Sequence, residues 1–267
     1  MQDPDQIVAL SDGPANAFSD VWPSRRLREV GRAELWSFRA SRPRASVLVC
    51  AGGGYVELVV DREGIDVAIW LAGQGYDAHV LVHRLPGAPG PDGRAYPSDI
   101  ALGDAMAALR HIRRDLPLFL MGLSSGGHLA GAVACQAGVD PAGLLIGYAP
   151  LNANHRAYKA PAGKPDYAPV EKQDFYDAWP IGLTAEPHGL PACPVFLAYA
   201  LHDNPVPIEH ALNFVRSGRD RGLDVDAHIF GRAPHGFALR DADGTHGVWP
   251  QLAQQWMSEK LTRFGRP

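Results

Sequence analysis

Short aliphatic runs recur along the chain, separated by longer stretches rich in small or amphipathic residues. ASVLVC (45–50), DAHVLV (77–82), PLFLM (117–121), LLIGYA (144–149), PVFLAY (194–199) and VDAHIF (225–230) carry little polar alternation. Runs of this kind suit strands covered on both faces, and their alternation with helical stretches predicts a mostly parallel sheet. Helices are predicted near 62–74, 99–114, 126–137, 207–222 and 248–264. The last opens with Pro250 in its first turn and places Trp249, Ala253, Trp256, Lys260 and Phe264 at helical steps, a mostly apolar stripe that should pack on the sheet. RAELWSFRA (32–40) alternates loosely, so the first 40 residues are expected to hold antiparallel edge strands.

Two segments break the rhythm. GAPGPDG (87–93) is a turn-rich loop without the strand-to-helix setting of a nucleotide fingerprint. Residues 152–191 are rich in proline and tyrosine, poor in apolar runs and longer than an ordinary connection. Such loops are usually functional, so this one is expected to form a lid or cap, with a surface excursion as the alternative.

The chain has 267 residues, of which 46% are hydrophobic, enough for one large α/β domain with a continuous core. A formal net charge of -4 gives no basic face, which argues against nucleic acid as a partner. The opening MQDPDQIVALSDGP lacks the basic start and apolar core of a signal peptide, and no apolar run approaches a membrane span. Cytoplasmic residence and no membrane partner are the expectations. Cys50, Cys135 and Cys193 stand singly in apolar contexts and read as small core residues.

Candidate chemistry centres on FLMGLSSGGHLA (119–130). Glycines and serines between strand and helix are compatible with a plain connecting turn, where serine caps the helix. Gly122-Leu123-Ser124-Ser125-Gly126 also matches G-x-S-x-G, a nucleophile elbow in which a tight strand-to-helix turn exposes the serine hydroxyl. A serine hydroxyl is a weak nucleophile and needs a base oriented by a carboxylate. Both follow later in the chain, Asp203 in ALHDNPVP after one predicted strand and His235 in GRAPHGF after the next. Singly, Asp203 reads as a turn residue before Pro205 and His235 as a loop histidine; the order serine, acid, histidine favours a triad. His202, His246 and His128 are rival bases of lower rank, with His128 expected on the helix after the elbow, pointing away from the cleft. Gly52, Gly53 and Gly54 in CAGGGYVEL let backbone N–H groups approach a substrate, and Ser125 adds the amide after the nucleophile. A phosphate cradle would need a following Gly-Lys-Ser/Thr, which is missing. H-E-x-x-H, C-x-x-C and EF-hand patterns are also missing, so the expected site uses neither metal nor cofactor.

With these residues assembled, the sequence resembles the α/β-hydrolase superfamily, and within it the acetylxylan-esterase-like branch of carbohydrate-ester hydrolases. AGGGYVELVVDREG with LAGQGYDAHVLVHRLPG, YPSDIALGDAMAALRHIRR, MGLSSGGHLA, and HDNPVPIEHALNFVRSGRD with HIFGRAPHGFAL carry the resemblance. It implies a single α/β-hydrolase domain over 1–267 with 152–191 as its lid. Ser124 would be nucleophile, His235 base and Asp203 its partner, with Gly53, Gly54 and Ser125 as oxyanion donors. Tyr55 and His83 become substrate-pocket candidates. Ala51 stands where many relatives have His or Pro, and His83 where an aromatic is expected. The implied activity is hydrolysis of a short acyl ester, acetyl on a carbohydrate hydroxyl, with a small-molecule ester as partner. A general short-chain esterase, an aryl-formamidase-like amidase and a non-catalytic binding protein of this fold are the alternatives.

Overall fold

Strands without polar alternation need cover on both faces, and two separate sets of helices supply it. The computed structural model describes residues 3–155, 165–183 and 189–263. Its sheet has eight strands: β1 (Gln6–Ala9), β2 (Glu34–Phe38), β3 (Ala45–Cys50), β4 (Tyr76–Val82), β5 (Leu118–Leu123), β6 (Gly143–Gly147), β7 (Val195–Ala200) and β8 (Val225–Phe230). They lie in the order β1-β2-β4-β3-β5-β6-β7-β8. β1 and β2 add antiparallel, with Ile7 opposite Trp36 and Trp36 opposite Val80, and the remaining pairs are parallel.

Helices α1 (Asp66–Gly73) and α6 (Trp249–Thr262) cover one face. There Val47 and Val49 of β3 share a core with Val67, Leu71, Trp256 and Met257. Helices α2 (Ile100–Leu109), α3 (Ser125–Ala134) and α5 (Glu209–Arg221) cover the other, where Leu48 and Cys50 join Ala105, Leu129 and Phe214. Alternate residues of one strand thus feed two cores, which is why the sequence runs apolar throughout. A buried leucine such as Leu129 contributes about 1.5–3 kcal/mol relative to exposure.

Three of the differences between expected and observed elements have a clear physical reason or bear on the cleft. α2 ends at Leu109, short of residue 114, because the chain tightens there, His111 N–H donating to Ala108 O, before the charged run that leads to Pro117. β5 continues through Gly122 to Leu123, carrying regular strand geometry up to the elbow. Within 152–191, a helix the apolar pattern does not announce, α4 (Val170–Ala178), follows Pro169 and buries Phe175 and Tyr176. The lid expectation falls partly on residues 156–164 and 184–188, and the stripe residue Phe264 on 264–267, all outside the described residues. Among the described residues no helix is long and apolar enough to cross a membrane.

Candidate active site

Ser124 sits between β5 and α3 with φ 52° and ψ -131°, a backbone conformation that a side chain tolerates only when its surroundings impose it. Close packing imposes it here. A Cβ on Gly122 would lie 2.0 Å from Gly126 O, and one on Gly126 would lie 2.0 Å from Cys50 O. Glycine at both positions lets α3 start directly against β3 and β5. The turn is held by Ser124 N–H donating to Gly147 O (2.9 Å) and Gly127 N–H donating to Ser124 O (2.9 Å). Ser124 makes no side-chain capping bond, so the capping alternative finds no support here.

The hydroxyl instead meets a histidine. Ser124 Oγ is 3.1 Å from His235 Nε2, and His235 Nδ1 is 2.7 Å from Asp203 Oδ2. An ionised carboxylate can only accept, so Nδ1 carries the proton and Nε2 is left to accept from the serine hydroxyl. Asp203 has a fully buried side chain, and its other oxygen accepts from Val206 N–H at 2.9 Å. Asp203 therefore serves both as the turn residue before Pro205 and as the partner of His235. The three side chains come from loops after β5, β7 and β8, at the C-terminal edge of the parallel strands, where open α/β sheets place their sites.

The glycine turn after β3 lies beside them. Gly53 (φ 135°), Gly54 (φ 66°) and Tyr55 (φ 59°) take left-handed conformations in succession. Gly54 N–H donates to Ser125 Oγ (2.9 Å), so that amide braces the turn against α3. Among the described residues, the N–H groups of Gly53 and Ser125 have no hydrogen-bond partner, and both residues line a cleft of about 830 Å³ with Ser124 and His235. Of the three amides expected as oxyanion donors, these two are the ones left without a partner.

Tyr55 and His83 do not line that cleft. Both are buried at 1% exposure behind the glycine turn, with ring centroids 5.8 Å apart. His83 Nδ1 is bonded to Arg84 O, and burial pushes its imidazole below the ordinary value. Tyr55 reaches His128 instead, Oη to Nδ1 at 2.9 Å, while His128 Nε2 lies 2.7 Å from Trp179 O. A carbonyl only accepts, so Nε2–H donates to it and Nδ1 accepts from the tyrosine. Burial pushes His128 down to about 4. It is a neutral tie between α3, the glycine turn and the end of α4. The described part of the 152–191 segment forms a cleft wall through Tyr167, Lys172 and Tyr176.

The other rivals stand apart. His202 lies in the exposed turn after β7, and His246 is buried in the 3-10 turn before α6, bonded to Asp241 O. Burial pushes the thiols of Cys50, Cys135 and Cys193 up to about 12, which suits core residues and not nucleophiles. One cleft residue has no role in the sequence reading. Glu63 belongs to a π-helical turn, Asp61–Ile65, and its buried carboxylate accepts from Gly52 N–H at 2.9 Å. Its signal was the DREG that accompanies the glycine turn, but an isolated acid there reads as an ordinary helix start.

The fold itself has relatives of known structure. The chain has the α/β-hydrolase fold. No protein-family model and no curated protein matches it, so the likeness is to solved structures. An acetyl ester-xyloside bifunctional hydrolase from Caldicellulosiruptor lactoaceticus superposes with TM-score 0.65 at 22% identity, covering 85% of this chain and 88% of that one. The sugar hydrolase YeeB from Lactococcus lactis gives 0.67 at 18% identity, over 93% and 99%. The carboxylesterase Cest-2923 from Lactobacillus plantarum gives 0.65 at 19% identity, over 96% and 98%. At these identities the comparison establishes the α/β-hydrolase architecture, and the chemistry has to be argued from this chain's own residues.

Proposed function

We propose that this protein is a serine carboxylic-ester hydrolase that cleaves short acyl esters, with an acetylated carbohydrate as its substrate class. The observation that carries the reading is the unbroken line from Ser124 Oγ through His235 to Asp203 on a strained elbow facing an open cleft. Nε2 of His235 takes the serine proton as Oγ attacks the ester carbonyl, and Asp203 holds the imidazole in the required tautomer and stabilises its charge. Gly53 and Ser125 N–H groups would hold the oxyanion, a contribution of about 3 kcal/mol per donor. His235 then protonates the leaving alcohol, and water repeats the cycle on the acyl-enzyme.

Support for the carbohydrate part comes from two sides. Tyr167, Lys172 and Asn204 give the cleft hydrogen-bonding groups suited to a polyhydroxylated alcohol. Two of the superposed proteins are described as a sugar hydrolase and an acetyl ester-xyloside hydrolase. Cytoplasmic residence, the expectation from the sequence, belongs to the same proposal.

The test is a fluorophosphonate probe with intact-mass readout on wild type and Ser124→Ala, followed by acetyl, butyryl and octanoyl p-nitrophenyl esters, acetylated xylo-oligosaccharides and an N-formyl aryl amide. One adduct on wild type and none on Ser124→Ala supports the hydrolase. A folded wild type that takes no adduct and turns over none of these substrates refutes it. Preference for the octanoyl ester would remove the carbohydrate assignment, and preference for the amide would replace it with an amidase.

A further inference from the structure

Glu63 is an acid in the cleft wall that the triad does not use, and its surroundings are built around it. The π-helical turn that presents it is anchored by Asp61, whose buried carboxylate accepts from Arg25 N–H (2.8 Å) and from the Arg25 guanidinium (2.7 Å). Short π turns inside helices are frequent at functional sites. Glu63 Oε2 accepts from Gly52 N–H, immediately before the glycine turn. A Cβ on Gly52 would sit 2.3 Å from that oxygen and 2.6 Å from Ser124 Cβ, so acid and nucleophile flank the same α-carbon. Oε1 accepts from Tyr148 Oη at 3.1 Å.

Tyr148 extends the contact to the other side of the site. It follows β6 with φ 36°, and its ring packs edge-on against His235 (centroids 5.1 Å apart) and Phe237 (4.7 Å). A Cβ on Gly236 would lie 3.6 Å from Glu63 Oε1. One carboxylate thus bonds Gly52 at the start of the glycine turn and reaches the histidine loop through Tyr148, with Gly236 of that loop close by.

We infer that Glu63 is a positioning residue of the hydrolytic site: it clamps the glycine turn to the His235 loop and holds a fixed negative charge beside the imidazole. The role rests on the hydrolase reading above. Gly52 N–H donates to one oxygen and Tyr148 to the other, the pattern an ionised carboxylate requires. Burial raises the carboxyl above its ordinary value, and the His235 charge, the Gly52 amide, the Tyr148 hydroxyl and Arg62 oppose that rise. The charged and titratable groups around it are His235 with Asp203 behind it, Tyr148 from the β6 loop, Arg62 from its own turn, and Arg26 and Lys172 across the cleft. When His235 takes the serine proton, positive charge forms beside Glu63, so the carboxylate favours the transition state over the resting site.

Glu63→Gln keeps the shape and an oxygen for Gly52 while removing the charge. It is compared with wild type by fluorophosphonate labelling rate and by the pH dependence of kcat/KM on p-nitrophenyl acetate. Expected are a kcat about 10- to 100-fold lower, KM little changed, and an acid limb displaced about one pH unit lower because the imidazolium loses a nearby anion. Tyr148→Phe, which keeps the carboxylate and the Gly52 bond, should lower kcat by about threefold to tenfold and leave the acid limb in place. Lower kcat in both variants with an unmoved acid limb in Glu63→Gln overturns the electrostatic role. Wild-type labelling rate, kcat and limb in Glu63→Gln overturn the whole inference while the hydrolase stands. A wild type that neither labels nor hydrolyses fells the hydrolase reading and this one together. If Glu63→Gln does not fold, an unchanged kcat in Tyr148→Phe refutes the clamp.

Discussion

The elbow and the α4 wall face each other across one cleft, yet they are held in place by different forces. At the elbow the backbone does the positioning: strand β5, helix α3 and the end of β3 approach so closely that Gly122 and Gly126 have no room for a side chain. On the wall, side chains do it. α4 is tied down by Phe175 and Tyr176 packed edge-to-face against Tyr55 (centroids 5.3 and 5.5 Å apart) and by His128 reaching Trp179 O. On the proposed hydrolase reading, the reacting groups, which need sub-ångström placement, sit on the rigid side, and the wall that would face the substrate is held by a few ring contacts that can be exchanged.

That contrast can be broken most severely at the triad. Asp203→Asn should lower kcat by about 10⁴-fold with little change in thermal midpoint, because the amide presents the wrong hydrogen-bonding pattern to His235 Nδ1. A loss of less than tenfold in p-nitrophenyl acetate hydrolysis would show that another group orients the histidine. Next in size is the elbow backbone. Gly126→Ala forces a methyl onto Cys50 O, and about 3 kcal/mol or more of stability should be lost in urea titration together with all labelling of Ser124. Normal stability and labelling would mean that the elbow is far more yielding than its contacts indicate.

The wall should respond to acid. Burial pushes His128 on the wall, and likewise His79 of β4 away from it, from 6.5 down to about 4 in the folded protein, so the unfolded chain binds more protons between those values. Their contribution to stability is complete above about pH 6.5 and is lost progressively as pH falls to about 4. His128→Phe should flatten that decline in denaturation midpoints measured from pH 7 to 4, although the loss of two hydrogen bonds makes the variant less stable at pH 7. An unaltered slope would show that His128 remains neutral in both states. The smallest effect is expected at Lys172, which lines the cleft and stacks over Tyr167 at 4.6 Å. Lys172→Ala should change KM for an acetylated xylo-oligosaccharide by about threefold and leave kcat within about twofold, the signature of binding shared by ground and transition states. A large fall in kcat would place Lys172 among the groups that act on the reacting ester.

These two construction principles also explain what could be read from the sequence. β3 and β8 stand where ASVLVC and VDAHIF put them, because a strand needs only its own run of β-forming residues bounded by turn formers. Ser124, Asp203 and His235 were nameable because each falls in the loop after a strand, and Gly122 and Gly126 flagged the elbow through steric demand. α4 was not legible: VEKQDFYDA has no long apolar stripe, and its two buried aromatics are paired with Tyr55 and His128 from distant parts of the chain. Tyr55 and His83 adjoin the glycine turn and the end of a strand, which says nothing about which side of the turn their rings occupy. The left-handed backbone at Gly54 and Tyr55 turns the tyrosine inward, onto Phe175, Tyr176 and His128.

The amino-acid sequence by itself determined the alternation of strand and helix, the parallel sheet, the elbow and the order of serine, acid and histidine. Each strand, helix and turn is set by hydrophobic period, turn chemistry and residue type within about ten positions, and the sheet type and the triad order follow from the succession of those elements along the chain. Only the tertiary structure decided that Gly54 N–H is taken by Ser125 Oγ, that His128 ties α3 to α4, and that Glu63 stands between the glycine turn and the histidine loop. Hydrogen-bond partners and shared burial are properties of segments brought together from across the chain. A residue's type fixes what it can donate or accept, and the fold fixes to whom.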